Sequence, residues 1–268
     1  MLRRQRAEGR VLVEVERMGA RSGIRRLAES GSARLRLPTI REGAPEAVLI
    51  NTAGGIAGGD RFSTTAVLGA GAELVLTTAA AEKVYRSEGR TSEIATTLSL
   101  GPGARVEWLP QETILFDRAR LVRSLDVDLD PTAAALLFEA TVFGRAAMSE
   151  QVREGVFRDR WRVRRGGRLV YADTLQLEGP IAERLARPAV ANGRRAWATL
   201  LYVAPDAEAR LDESREHLAG AASECGASAW MGQLAARWLA PDIATLRRDV
   251  ARFMTAFRGR PLPRVWYL

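Results

Sequence analysis

The chain has 268 residues, of which 47% are hydrophobic and 27% are charged. A chain of this length and composition buries a sizeable core, so disordered and fibrous classes are excluded. Because Cys225 is the only cysteine and His217 the only histidine, an internal disulfide and a Cys/His zinc site are excluded too. A Ser-His-Asp triad would have to use His217, which makes hydrolases weak candidates.

The net charge of +8, from 40 basic and 32 acidic residues, raises the question of nucleic-acid binding. The sequence argues against it, because the basic residues are scattered and all except Lys83 are arginine. Aromatic residues, at 6%, fall mostly within apolar patterns. No apolar run approaches the roughly 20 residues of a membrane helix, and residues 1–6 lack the apolar stretch of a signal peptide. We therefore expect a cytoplasmic protein that binds neither nucleic acid nor membrane.

Apolar residues alternate with polar ones from Val11 to about Val203, which predicts half-buried strands and no convincing helix in that range. Three similar turns, at residues 68–72, 100–104 and 129–133, each end one strand and begin another. Their spacing of about 30 residues favours a layered or solenoid-like (β-helical) stack of strands. A β-sandwich with similar hairpin turns is the alternative.

The last quarter of the chain predicts two helical segments. Residues 206–220 have helix-forming composition, and Asp242 is placed to cap a second helix with an apolar side. The apolar stretch 230–239 between them predicts a strand, and the proline-rich tail 261–266 is expected to be extended. No linker divides the chain, so we predict one domain over residues 1–268.

A glycine-rich segment, residues 51–62, follows an apolar strand. It lacks the Lys-Ser/Thr pair of a P-loop, because Asp60 follows its last glycine. It also lacks a following helix, as the strand pattern resumes at Phe62, so a dinucleotide fold is not indicated. Tight turns with positive φ are the expected role of the glycines. The alternative is a purely structural one, in which the segment is a glycine-rich connection between strands and Asp60 forms an ion pair with Arg61 or a neighbour.

Several ordered blocks closely resemble the UreD family of urease accessory proteins. They are residues 51–62, Thr77 and Thr78 with residues 83–87, residues 108–116, residues 143–145 with Met148, residues 159–162 and residues 263–266. The resemblance covers nearly the whole chain and is looser between about residues 180 and 228. A departure is Ala57, where the family often has a larger residue.

The resemblance implies a non-enzymatic metallochaperone scaffold, largely β with a helical end. Members of the family bind UreF, which recruits the GTPase UreG, and the assembly docks on apo-urease to deliver nickel. An internal tunnel is the route proposed for the metal in this family. On this interpretation the chain binds no cofactor tightly and carries Ni(II) transiently.

Four carboxylates are candidates for a transient nickel path, because carboxylates hold nickel more weakly than thiolates or imidazoles do. Glu139 shares its strand face with Leu137 and Phe143, and the others are Asp60, Glu112 and Glu178. The alternative for each is an ion pair with an arginine. Three further polar residues either line a channel or satisfy strand edges: Thr77, Thr78 and Tyr85.

Other interpretations remain open at this stage. Four arginines at alternate positions, Arg158, Arg160, Arg162 and Arg164, form a basic stripe that either meets an acidic partner or faces water. His217 is expected on a helix surface, and the helix after Asp242 is expected to pack on the sheet. The rival functions are a basic, β-rich nucleic-acid-binding module and a carbohydrate- or carboxylate-handling enzyme with paired Asp/Glu residues.

Overall fold

The computed structural model describes residues 6–39, 43–145, 148 and 150–268, so residues 1–5, considered above for a signal peptide, lie outside it. The strands are β1 (Glu8–Met18), β2 (Arg21–Gly31), β3 (Ala33–Arg36), β4 (Glu46–Asn51), β5 (Arg61–Leu68), β6 (Glu73–Thr78), β7 (Glu82–Val84), β8 (Ser92–Leu100), β9 (Arg105–Leu109), β10 (Thr113–Leu115), β11 (Arg120–Leu129), β12 (Ala134–Phe143), β13 (Glu154–Arg165), β14 (Arg168–Pro180), β15 (Ala196–Val203), β16 (Glu224–Trp230) and β17 (Gln233–Ala240). The helices are α1 (Ile181–Ala186), α2 (Leu211–Leu218) and α3 (Ile243–Arg258).

The strands form two stacked sheets. Sheet A has the order β14-β13-β11-β8-β5-β1-β2, and sheet B has the order β16-β17-β15-β12-β9-β6-β4-β3. Sheet B also includes two short strands off this path: β10 pairs with β12, and β7 pairs with β10, both in parallel. The apolar faces of sheets A and B pack against each other, with Leu76, Leu98 and Val127 among the fully buried residues.

The predicted solenoid-like stack is confirmed. Successive strands alternate between the sheets, since β5, β8 and β11 in sheet A are each followed by a strand of sheet B. Strands β5, β8, β11 and β13 are parallel neighbours, as are β4, β6, β9 and β12. The three repeated turns close with equivalent backbone hydrogen bonds, from Ala72 N to Gly69 O, Ala104 N to Gly101 O and Ala133 N to Asp130 O, at 3.0–3.1 Å.

The helical end packs on the outer face of sheet B. Asp242 caps α3 by accepting a hydrogen bond from the backbone N–H of Thr245, as expected. The apolar side of α3, including Val250 and Phe253, is fully buried against β15 and β17. His217 lies on α2, half-buried, with its ring Nε2 3.3 Å from the Glu213 carboxylate.

Two expectations for local structure were wrong. The short helix α1 lies within the range predicted to hold strands only. It forms because Ile181 and Leu185, one helical turn apart, are both buried on the same side. The proline-rich tail is not extended throughout, since Arg264–Tyr267 forms one 3-10 turn. Proline stands before that turn, where its missing N–H costs nothing, and Trp266 N donates to Pro263 O at 2.9 Å. None of the helices in the described ranges combines the length and apolar character needed to cross a membrane.

Candidate functional site

A cavity of about 330 Å³ lies between the two sheets, beside the short strands β7 and β10. Apolar residues form much of its wall, including Ile56, Phe62 and Ile94, whereas the exposed residues Gly54, Ala80 and Lys83 lie at its mouth. Its charged and polar lining residues are Asn51, Ser63, Thr64, Thr78, Glu82, Lys83, Thr96, Gln111, Thr113, Arg123 and Glu139. A mostly apolar cavity with few polar groups is typical of a binding site.

Arg123 forms the centre of a buried ion cluster at this cavity. Its side chain is about 4% exposed and forms ion pairs with Asp159, at 2.6 Å, and with Glu139. The guanidinium also donates to the hydroxyls of Thr113, at 3.1 Å, and Thr141, at 3.3 Å. Glu139 accepts a further hydrogen bond from Trp108 Nε1 at 3.0 Å. The polar groups of this cluster therefore have partners, as burial requires.

Strand alternation explains how these three charged residues meet. Arg123 and Asp159 are direct register partners on β11 and β13 of sheet A, both on the inner face. Glu139 lies on β12 of sheet B and faces inward with Leu137, as predicted. Burial raises the pKa of the Glu139 carboxyl, Arg123 opposes this, and the charge of Asp159 adds to it. One guanidinium thus forms ion pairs with two buried carboxylates.

Glu82 is a second carboxylate in the same cavity. Its two oxygens each accept from Asn51 Nδ2 at 3.2 Å, and within the described ranges no basic side chain lies within ion-pair distance. Burial raises the pKa of Glu82 from 4.5 to about 7, against the effect of hydrogen bonds from Asn51 and from the Lys83 backbone. The cavity therefore contains a carboxylate without a cationic partner.

The glycine-rich segment forms one side of the cavity mouth. Gly55 has a φ of +142°, and a Cβ there would lie 2.5 Å from the Tyr85 ring. Tyr85 donates a hydrogen bond to Gly54 O at 2.7 Å, so its ring lies directly on this loop. Asp60 is buried and accepts from Ala7 N at 2.9 Å and Ala57 N at 2.8 Å. Its partners are backbone N–H groups, not Arg61 as the alternative above supposed, because Arg61 lies 3.7 Å from Glu93.

The other candidate residues lie at different places. Glu112 is buried and pairs with Arg247 of α3 at 3.3 Å, which connects the helical end to the corner before β10. Glu178 is exposed and lies outside the cavity lining, since alternation turns Leu177 inward on β14.

The three candidate residues with hydroxyl groups also lie at different places. Thr78 lines the cavity and accepts a hydrogen bond from Gln111 N at 2.9 Å. Thr77 is fully buried and donates to Leu109 O at 2.7 Å, outside the lining. Tyr85 contacts the loop at the mouth without itself lining the cavity. Of the predicted residues, the structure therefore brings Glu139 and Thr78 into the cavity.

Sequence reasoning missed Arg123, Glu82 and Asn51. The signal for Arg123 was present, because it shares the alternation of Leu121 and Leu125 and so had to face inward. Glu82 begins a strand of three residues, too short for any alternation to show.

The donor set of the cavity suits weak cation binding. Carboxylate, amide and hydroxyl oxygens bind first-row metals less tightly than thiolates or imidazoles do. In the ranges that the structure describes, no three His, Cys, Asp or Glu side chains converge to hold a metal ion. The fold and site together define a β-solenoid with a mostly apolar cavity between its sheets, which contains a few polar and charged side chains, and with helices on one face.

Comparison with known proteins gives the family. The model of the family described as UreD urease accessory protein matches residues 7–267. A urease accessory protein UreD from Azorhizobium caulinodans is 57% identical over 266 residues, covering 99% of this chain and 98% of the relative. One from Rhizobium leguminosarum bv. trifolii is 48% identical over 267 residues, covering 99% and 97%. The chain belongs to the UreD family of urease accessory proteins, which confirms the resemblance seen in the sequence.

Proposed function

We propose that this protein is a urease maturation factor that passes nickel through the cavity between its sheets to apo-urease. The observation that carries the proposal is the pair of carboxylates, Glu82 and Glu139, in one partly enclosed cavity. The names of the relatives, urease accessory protein UreD, support the role in maturation. The protein acts as a scaffold and not as an enzyme.

Weak binding follows from the same residues. Glu139 already shares Arg123, and Lys83 adds a second positive charge to the lining. A Ni²⁺ ion entering the cavity therefore meets oxygen ligands and nearby cations, which together disfavour a long residence. Transit requires such a site, because a tightly held ion would not reach urease. Asp60, Glu112 and Glu178 lie outside the cavity and are secondary candidates for the nickel path.

Partner binding is the second part of the proposal. UreF binds this chain directly, UreG joins through UreF, and the assembly docks on apo-urease. We expect the complex with UreF to bury about 1,600 Å² or more, as stable protein interfaces do. Part of α3, whose apolar side is already buried against sheet B, presents its other side to such a partner.

The test combines binding and activation. Purified cognate UreF should co-elute with this chain at micromolar concentration, and apo-urease should gain activity with Ni²⁺, UreF, UreG and this chain together. Glu82→Gln and Glu139→Gln should preserve the UreF complex and lower the activated fraction. Failure of the chain to bind UreF, or activation that is unchanged without the chain, would refute the proposal.

A further inference from the structure

The outer face of sheet A is uncovered in the described structure. Helices α2 and α3 pack on sheet B, and the apolar clusters of sheet A lie on its inner side. On strand β13 the inner face carries Asp159, Trp161 and Val163, all buried. The residues between them must therefore face outward, because side chains alternate along a strand.

Five outward-facing arginines form what we call the arginine face. It consists of Arg120 on β11 and Arg158, Arg160, Arg162 and Arg164 on β13. Alternate residues of a strand lie roughly 6.6 Å apart, so the four on β13 make a regular row. The two strands are parallel register neighbours, which places Arg120 beside the start of that row.

The positive charge of the arginine face is only partly balanced. Arg160 lies 2.8 Å from Asp126, and Arg162 donates to the backbone oxygens of Trp161 and Asp173 at 2.7 and 3.1 Å. For Arg158 and Arg164, no carboxylate of the described part of the chain lies within ion-pair distance. The Nε atoms of Arg120 and Arg160 are buried without a hydrogen-bond acceptor. These Nε atoms are not accessible to a partner, so the unbalanced charge of the face lies on Arg158 and Arg164.

Beside the row, the outer face of sheet A carries short side chains. The register continues from Arg160 to Ser124, and then through Ala95 to Ser63 on the next two strands. Short side chains leave the guanidinium groups of the row accessible from the side of these strands. Arginine forks bind carboxylates in bidentate fashion, which makes the row complementary to an acidic surface.

Nucleic acid fits this face less well. No aromatic side chain lies among these outward positions of β8, β11 and β13 to stack on bases.

We propose that the arginine face is a docking surface for a partner protein that presents carboxylates on its surface. This inference rests on the proposed function, since the partner is sought among the components of urease maturation. The docking residues lie on the opposite side of the molecule from the helices of sheet B. One chain can therefore contact two proteins at once.

A charge-removal variant tests the inference. Arg158→Gln/Arg162→Gln/Arg164→Gln should weaken binding to the urease apoprotein, with UreF and UreG present, by about tenfold or more at low salt. The matched control Arg21→Gln/Arg184→Gln/Arg187→Gln removes three exposed arginines elsewhere and should bind within about twofold of the original chain. The difference should shrink as salt is raised, because exposed charges are screened.

The outcomes separate the two proposals. If the original chain activates urease and the triple variant binds apo-urease and the UreF–UreG assembly equally tightly, the docking surface is refuted while the maturation role stands. If the original chain binds none of these proteins, both fail. Tight, salt-sensitive binding of a duplex DNA probe that only the triple variant loses would assign the face to nucleic acid and overturn the inference. Circular dichroism and thermal unfolding should match across the variants.

Discussion

Arg123 and Asp159 lie directly opposite each other on β11 and β13, and two guanidinium nitrogens, Nε and Nη2, donate to the two Asp159 oxygens at 3.1 and 2.6 Å. Of the guanidinium nitrogens, only Nη1 donates to Glu139, whose other oxygen accepts from Trp108 Nε1. The bidentate pair is the stronger of the two arrangements. Arg123 therefore forms a bidentate pair with Asp159 and a pair with a single hydrogen bond to Glu139.

Removing the guanidinium should destabilise the protein strongly. Arg123→Met leaves two buried carboxylates without their cation, and we expect a loss of about 3–5 kcal/mol in the free energy of unfolding. Urea denaturation near pH 7 measures it, with Arg158→Met on the outer face as a control expected within about 0.5 kcal/mol. Equal stability of both variants would show that the buried cluster contributes little.

Glu139→Gln should distinguish a structural role of Glu139 in the ion pair from a role in nickel transfer. The amide keeps an acceptor for Trp108 Nε1 and leaves Arg123 paired with Asp159, so the variant should fold with a change in stability of about 1 kcal/mol. Glu139→Ala, by contrast, leaves a void and an unpaired indole N–H and should lose roughly 2–4 kcal/mol. Urease activation per folded molecule is the decisive measurement. Full activation by Glu139→Gln would leave Glu139 with a purely structural role.

Glu82 should make stability depend on pH. Its pKa is raised from 4.5 to about 7 on folding, so the folded state binds the proton more tightly than the unfolded state does. Its contribution to stability is full below about pH 4.5, falls as pH rises to about 7 and is lost above that. Glu82→Gln should therefore be more stable than the original chain at pH 8 by about 1–3 kcal/mol, and equal to it at pH 4.5. A difference that does not change with pH would contradict the burial of this carboxylate.

The contact between Gly55 and Tyr85 can be tested with two alanine variants. Gly54 and Gly55 both have positive φ, but a Cβ at Gly54 meets nothing within 4 Å, whereas one at Gly55 meets the Tyr85 ring at 2.5 Å. Gly54→Ala should cost about 1 kcal/mol for backbone strain alone. Gly55→Ala should cost roughly 1–3 kcal/mol more, measured by thermal unfolding. Equal losses would show that the ring moves freely away from the loop.

Nickel binding by the isolated protein should be weak. We expect a Kd on the order of micromolar or higher in calorimetry, because the cavity offers oxygen ligands only. Cys225 lies outside this cavity, so no thiolate charge-transfer band should appear. A single nanomolar site, or a band that Cys225→Ser abolishes, would contradict the transit model.

The architecture could be predicted from the sequence because the alternation of apolar residues and the residue types of the turns are local patterns. The inward direction of Glu139 and the stacking of coils both followed from patterns within a strand or a turn. The ion partners did not, because Arg123 and Glu139 lie on different sheets and no spacing along the chain relates them. The role of Asp60 could not be predicted from the sequence either, because its partners are backbone N–H groups of residues that only the fold brings close to it. The tail was mispredicted because proline excludes a helix interior but permits the turn that follows it.

Lys83, exposed at the cavity mouth, carries the single side-chain amine of the chain. Among the side chains, amine-reactive reagents will therefore modify this position. A fluorophore or a short crosslinker placed there reports on the entrance without any engineered residue. Entry of an ion, or arrival of a partner at the mouth, becomes observable by spectroscopy in the unaltered sequence.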